Sequence, residues 1–277
     1  MILSPGREVY HFKIKKMSSK FSLHNKGALI TGGGSGIGKA IATTFAQQGA
    51  FVHILDYDLK SAQEIADQLN QQGFKAEAHH CDISNYKQVT KIITGISKST
   101  PINILVNNAG FGILGDHAEM PLDRQLQMID LNIHALTRLT HEFSNQMIAK
   151  GRGRIMNVAS IAAYISGPGF AVYCATKSYV LSYSRALHKE LMKKGVTVTA
   201  LCPGYVVTGF QEVAGMKLSK MEKISSVPVN KVAEIAIKSM RKGRREVMPG
   251  MVNKPLPLVT KMTPMWLQLI IVNQILK

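Results

Sequence analysis

Cysteine is scarce in this 277-residue chain, which has only Cys81, Cys174 and Cys202. An odd number cannot all pair internally, and none falls in a CxxC pair. A disulfide framework and a cysteine-rich zinc site are therefore excluded. A reducing compartment is the simplest setting, so a cytoplasmic location is expected. Trp266 is the one tryptophan. No apolar run approaches the ~20 residues that a membrane span requires. The start, MILSPGREVYHFKIKKMSSKFSL, lacks an apolar stretch of ~7–15 residues with a small-residue cleavage site, so no secretory signal is expected. Acids are few: 17 against 34 Lys and Arg, a formal charge of +17. From Lys217 onward twelve basic residues face three acidic ones, leaving +9 in that stretch. Such a surplus suits nucleic acid, an anionic membrane face, an acidic substrate or a solvated surface. No recognition motif accompanies it, so nucleic-acid binding is not expected.

What is present reads as globular. Hydrophobic residues make up 45% and charged residues 18%, which argues against disorder and coiled coil. Short apolar runs alternate with longer amphipathic stretches: GALITGG then GIGKAIATTFAQQG, FVHILD then SAQEIADQLNQQG. KAEAHHCD, INILVNN, RIMNVAS and VTVTALCPG continue the strands, with long helical patterns over Leu122–Lys150 and Tyr173–Lys194. Strands apolar almost throughout, each followed by a helix, predict a parallel sheet covered by helices on both faces. No Pro/Gly/Ser linker divides the chain. One domain is expected over 21–250, preceded by a flexible extension over 1–20. An apolar and basic appendage follows over 251–277, with prolines 255, 257 and 264.

The first strand runs into TGGGSGIG, residues 31–38, and straight on into a helix. Gly32 permits a tight turn, Gly36 lets backbone approach a pyrophosphate, and Gly38 allows close helix–strand packing. Phosphates then sit at a helix N-terminus, where free N–H groups and the dipole favour anions. Asp56 ends the next strand 20 residues beyond Gly36, placed to accept hydrogen bonds from both ribose hydroxyls and to repel a 2′-phosphate. Tyr57 and Asp58 add no cation beside it; Lys39 and Lys60 are the nearest. NAD is favoured over NADP, with a helix N-cap as the alternative role for Asp56.

YCATK, residues 173–177, opens a helical pattern, so Tyr173 and Lys177 share one helical face. A phenol of ordinary pKa ~10 is a poor base at neutral pH, but an adjacent ammonium stabilises its phenolate. The pair then serves as a proton shuttle for an alcohol and its carbonyl. Ser160 ends the strand IMNVAS thirteen residues earlier, where a parallel sheet opens its ligand crevice. Asn107–Gly110 and Pro203–Gly204 end two further strands.

These motifs together resemble the short-chain dehydrogenase/reductase family. TGGGSGIG is similar to its cofactor loop, NNAG (107–110) to its fourth-strand motif, and LNIHA to the helix motif that holds Asn132. Ser160 with Tyr173 and Lys177 matches the catalytic serine and YxxxK, and PGYVVT (203–208) the loop over the nicotinamide. The match covers about residues 24–250. It implies a Rossmann-like, doubly wound, seven-stranded parallel sheet and a homodimer or homotetramer. Tyr173 is implied as acid/base, and Lys177 as the group that lowers its pKa and holds the ribose. Ser160 is implied as partner of the substrate oxygen, and Asn132 as anchor of a water relaying protons from Lys177. Cofactor contacts are implied for Gly32, Ser35, Gly36, Ile37, Gly38, Asp56, Asp82, Ile83, Asn108, Ala109, Gly110, Tyr173, Lys177, Pro203, Gly204, Val206 and Thr208. Within these, Asp82 meets the adenine, while Asn108 and Thr208 help to fix ribose and carboxamide. The first third is similar to NAD-dependent members, and the part from Phe111 onward to reductases that commonly favour NADP(H).

The expected activity is oxidation of a secondary alcohol or reduction of a ketone, lipophilic and of 3-oxoacyl or steroid-like kind. The alternative is a catalytically silent cofactor-binding scaffold that recruits an acidic partner. Residues Gln211–Pro228 are the expected substrate-facing loop. His79, His80 and Cys81 read as a strand end beside the adenine site rather than a metal cluster, because no further ligand cluster stands at metal spacing. Residues 266–276, WLQLIIVNQIL, have a wide apolar face that needs covering, and peripheral membrane contact through 261–277 is one expectation.

Overall fold

Each apolar run becomes a parallel strand because a crossover helix returns the chain to the same end of the sheet. The structure is a computed structural model and describes residues 21–215 and 226–276. The extension expected over 1–20, residues 216–225 of the substrate-facing loop and Lys277 lie outside the described residues.

The first half alternates strictly: β1 (Gly27–Thr31), α1 (Gly36–Gln47), β2 (Phe51–Asp56), α2 (Leu59–Gln71), β3 (Lys75–His80), α3 (Tyr86–Ser99) and β4 (Ile102–Asn107). The Leu122–Lys150 stretch is two helices, α4 (Leu122–Ile129) and α5 (Leu136–Ala149), joined by a π-helical turn over Asp130–Ala135. β5 (Gly153–Val158), a 3₁₀ turn (Ile161–Tyr164), α6 (Ala171–Met192) and β6 (Val196–Leu201) follow. α7 (Phe210–Ala214), α8 (Val229–Arg241) and the two-residue β7 (Glu246–Val247) complete the sheet region. Beyond it, α9 (Leu256–Met262) lies beside the 3₁₀ turn, and α10 (Met265–Leu276) ends the described chain.

The seven strands lie in the order β3-β2-β1-β4-β5-β6-β7, every pairing parallel. Successive side chains alternate between the two faces. Ile30, Ile54 and Ile104 therefore join α1, α2 and α8 in one core, which holds Phe45, Ile65 and Ile237. Leu29, Leu55 and Leu105 pack on the other face with Ile93 of α3 and Phe143 of α5. Both faces are buried, as the apolar strands require. The strand order reverses between β1 and β4, and a crevice opens outside the carboxyl ends of neighbouring strands at such a switch point.

Candidate active site

That crevice is a cavity of about 1110 Å³. Gly32, Ser35, Gly36 and Ile37 line it after β1; Asp56 after β2; Asp82 and Ile83 after β3; Asn108, Ala109 and Gly110 after β4. Ser160, Tyr173, Lys177, Pro203, Gly204, Val206 and Thr208 line it from the other half. Two of the expected residues, Gly38 and Asn132, stand behind the wall instead of in it.

Gly38 is where α1 packs on the loop. A Cβ there would lie 2.0 Å from the Gly32 carbonyl oxygen and 2.5 Å from Asn108 Nδ2. Gly36 has φ of +50°, in the left-handed region, and a Cβ there would lie 3.3 Å from Thr208 Cγ2. The α1 N-cap, Ser35, makes no side-chain cap hydrogen bond, and the first turn holds no acid. The helix's leading N–H groups are thus left for an anion. Donors, dipole and glycine backbone fit a dinucleotide's pyrophosphate.

Asp56 Oδ2 accepts from the Gly34 N–H at 2.8 Å and Oδ1 from the Asp58 N–H at 3.0 Å. These bonds aim the carboxylate into the crevice. The α2 N-cap is Asp58, not Asp56, with Oδ1 accepting from Lys60 N and Ser61 N. At the next strand end, Asp82 Oδ1 accepts from Ser84 N and Ser84 Oγ.

Asn108 is occupied differently from expectation. Its Nδ2 donates to the Thr31 and Gly32 carbonyls at 3.1 and 2.8 Å, bracing the glycine loop from β4. Thr31 completes the brace: its Oγ1 accepts from the N–H groups of Asn108 and Ala109, both at 3.1 Å. Thr31 was not singled out by the sequence motifs, although a threonine opening the glycine loop is a readable signal. Thr208 Oγ1 accepts from Phe210 N at 3.3 Å, which holds the start of α7 against the cavity.

Tyr173 and Lys177, one turn apart on α6, point into the same space, with Lys177 Nζ 5.7 Å from the Tyr173 ring centroid. Both are buried. Lys177 Nζ donates to the Val158 carbonyl at 2.9 Å. Ser160 stands beside the phenol, and its Oγ accepts from Ala162 N at 3.1 Å. Burial pushes the Tyr173 phenol above its ordinary value, the Ser160 hydrogen bond pulls it partly back, and Cys174 adds a small push upward. Burial pulls the Lys177 ammonium down to about 8, with Cys202 acting against it. The spacing predicts a phenol lowered by its neighbouring ammonium; in the protein, desolvation by burial is the largest influence on both groups.

Asn132 sits in the π-helical turn, 1% exposed. Its Nδ2 donates to the Phe111 carbonyl at 2.9 Å and to Thr176 Oγ1 at 3.1 Å, and its Oδ1 accepts from Phe111 N at 3.2 Å. The side chain thus clamps the backbone after β4 to α6. Its Oδ1 and the Lys177 ammonium crowd the same glycine, at 2.7 and 3.4 Å from a Cβ built on Gly110.

Aromatic residues that no sequence motif marked complete the site. Tyr173 stacks on Phe170 at 4.4 Å between centroids and tilts against Phe210 at 5.5 Å. Phe111, Ile165 and Val213 extend this apolar wall. Their spacing along the chain follows no pattern, since they come from four separate loops and helix ends. The three cysteines are free and buried, and burial pushes the Cys174 thiol up to about 11.

A parallel doubly wound sheet, a glycine-rich anion cradle at its switch point and a buried Ser–Tyr–Lys group define a nicotinamide-dependent oxidoreductase. The family model for short chain dehydrogenases matches residues 26–216. The chain is 33% identical over 216 residues to cyclohexanol dehydrogenase of Acinetobacter sp. (strain SE19), covering 76% of this chain and 85% of the relative. The structure of 3-ketoacyl-(acyl-carrier-protein) reductase from Brucella melitensis, complexed with NADH, superposes with a TM-score of 0.75 at 28% identity; the match covers 83% of this chain and 98% of that one. A short-chain dehydrogenase from Sphingobium yanoikuyae in complex with NADPH gives 0.76 at 25% identity, over 86% and 96%. This chain belongs to the short-chain dehydrogenase/reductase family and is an oxidoreductase of the CH–OH/C=O pair that uses NAD or NADP.

Proposed function

We propose that the protein interconverts a lipophilic secondary alcohol and its ketone, of 3-oxoacyl or steroid-like size, with NAD as the favoured cofactor. The observation that carries the substrate class is the apolar wall of Phe111, Ile165, Phe170, Phe210 and Val213 beside the Tyr173 ring. A polyhydroxylated substrate would leave its hydroxyls unpaired against these side chains, at about 1–3 kcal/mol for each buried group.

In oxidation, Tyr173 Oη takes the substrate's hydroxyl proton; in reduction it gives a proton to the carbonyl oxygen. Ser160 hydrogen-bonds that oxygen and holds it near the phenol. Lys177, fixed by the Val158 carbonyl, keeps positive charge beside the phenolate and reaches the ribose. Asn132 sets the backbone around Gly110 and Phe111, and anchors the water through which Lys177 exchanges protons with solvent. Gly32, Ser35, Gly36, Ile37 and Gly38 would hold the pyrophosphate, Asp56 the adenosine ribose, and Asp82 with Ile83 the adenine. Asn108, Ala109, Gly110, Pro203, Gly204, Val206 and Thr208 would enclose the nicotinamide half. A bound nicotinamide supplies the hydride acceptor or donor.

NAD is favoured because the acid that ends β2 faces the crevice while no cation joins it there. The basic residues lining the cavity, among those described, are Lys177 and Arg124, and both belong to the substrate half. Lys39 and Lys60 are exposed and outside the lining. Fluorescence titration with NADH and NADPH, followed by a ketone panel with the tighter cofactor, tests both readings. Turnover of small polyols but of no apolar ketone would overturn the substrate class.

The same proposal places the catalytic unit in 21–250, assembled as a homodimer or homotetramer in the cytoplasm, with 251–277 as an appendage. Among the described residues no helix is long and apolar enough to cross a membrane. On α9 and α10, however, Leu258, Met262, Trp266, Ile270 and Ile275 are exposed, beside Lys254 and Lys261. Peripheral contact with an anionic membrane is our reading of this surface. Co-sedimentation with anionic vesicles at low salt, lost on removing 261–277, is the expected result, and a full-length protein left in the supernatant refutes it.

A further inference from the structure

At the edge of the sheet away from the crevice's substrate half, β2 and β3 bring together side chains far apart in sequence. Their parallel register sets His53 opposite Glu77 and Leu55 opposite His79. Residues two apart on a strand share a face. His53, Glu77 and His79 therefore all project on the face that carries Leu55 and α3. His53 Nδ1 stands 3.2 Å from His79 Nε2 and 3.4 Å from Glu77 Oε2, and His79 Nε2 stands 3.7 Å from the same oxygen.

These separations are those of ligands around one ion. Donors bound tetrahedrally at ~2.0–2.1 Å lie about 3.3–3.4 Å apart. The circle through the three atoms has a radius of about 2.0 Å, so a single point lies at zinc–nitrogen bond length from all of them. Burial differs in a useful order: His53 is fully buried, His79 partly so, and Glu77 exposed. The other ring nitrogen of His53, Nε2, is buried without a hydrogen-bond partner, so the ring's polar contacts are all made on the Nδ1 side. A cavity of about 480 Å³ between β3 and α3, lined by Glu77, His79, Gln88 and Ile92, adjoins the cluster and leaves room for a further ligand such as water.

We infer that His53, Glu77 and His79 form a divalent transition-metal site of two imidazoles and one carboxylate, open on its fourth side. That ligand set suits Zn²⁺, with Co²⁺, Ni²⁺ and Cu²⁺ as competitors, and is too nitrogen-rich for Mg²⁺ or Ca²⁺. His80 and Cys81, the sequence neighbours of His79, are outside the three-ligand group, although His80 also lines the adjoining cavity. An ion here joins the edge strand β3 to β2 by side chains as well as by the ladder, two residues before the Cys81–Asp82 turn that lines the cofactor crevice.

The test uses the full-length protein, freed of any histidine tag and stripped with a chelator that is then removed. Zn²⁺ is titrated by calorimetry and Co²⁺ by its visible absorption, with His79→Gln, Glu77→Gln and the control His80→Gln alongside. Glu77 and His79, the two substituted ligands, are at least partly exposed, so far-UV circular dichroism of the variants should match the wild type. One equivalent of Zn²⁺ is expected, with a metal-dependent rise in Tm. Each triad variant should weaken binding by more than the ~10–100-fold that loss of an outer-shell partner costs, while His80→Gln binds as wild type. Wild-type protein that takes up no Zn²⁺ or Co²⁺ at millimolar concentration, or triad variants that bind as it does, would overturn the site.

Discussion

Lys177→Met removes a buried ammonium while keeping most of the side chain's volume, and its effect on stability can be worked from the structure. Lys177 is 5% exposed, and burial lowers its pKa from 10.5 to about 8. Its native pKa therefore lies below its unfolded value. The stability linked to this difference is fully present above pH 10.5, falls away as the pH drops through about 8, and is absent at pH 7. Each pKa unit corresponds to about 1.4 kcal/mol, so burying the charge costs about 3 kcal/mol at pH 7. Methionine avoids that cost but orphans the Val158 carbonyl, which Lys177 otherwise satisfies at 2.9 Å; an unpaired buried acceptor costs about 1–3 kcal/mol. The variant should be as stable as wild type or up to about 2 kcal/mol more stable at pH 7. Wild type should gain on it by about 2 kcal/mol by pH 9.5. Urea unfolding followed by circular dichroism at the two pH values measures both quantities, and turnover should fall by orders of magnitude throughout. A stability difference that does not change with pH would refute the assignment of a desolvated ammonium.

Tyr173→Phe should keep the fold and NADH affinity but lose about 10²–10⁴-fold in kcat, the usual share of a positioned acid/base; full activity would end the proposed mechanism. Asp56→Asn keeps an acceptor for the Gly34 N–H yet removes the negative charge, so NADH should bind about tenfold more weakly and NADPH relatively better. Titrations of both cofactors check this, and an unchanged ratio refutes it. Gly38→Ala drives a methyl group against the Gly32 carbonyl and Asn108, so α1 must shift. A Tm lower by several degrees with loss of cofactor binding is expected, and wild-type behaviour in both would contradict the packing described.

Much of this protein is written locally. The strand–glycine loop–helix passage over 27–47, the acid at the end of β2 and the Tyr173–Lys177 spacing are each contained within a few turns of chain. Short-range geometry sets their positions along the chain, so they were readable before any folding was considered, although the Asp56 carboxylate is also held by the Gly34 N–H across the β1–β2 pairing. The apolar character of β1, β4, β5 and β6 likewise announced a sheet buried on both faces. Other features depend on which segments become neighbours. The two-residue β7 is too short for any periodicity to mark it. The π-helical turn interrupts a stretch that reads as one long helix, and it turns Asn132 toward the Phe111 backbone.

Desolvation is likewise a property of the packed state. Burial pushes the Tyr173 phenol upward because Phe170, Phe210 and the strand ends exclude water around it. His53 and His79, 26 positions apart, meet only because β2 and β3 pair in one particular parallel register. A shift of that pairing by one residue would send the two rings to opposite faces of the sheet. The local sequence of the chain thus determined its alternation of strand and helix, its glycine loop and its Tyr173–Lys177 spacing, which need only neighbours along the backbone. The packing of strand on strand decided which charges are stripped of water and which distant side chains share a point in space.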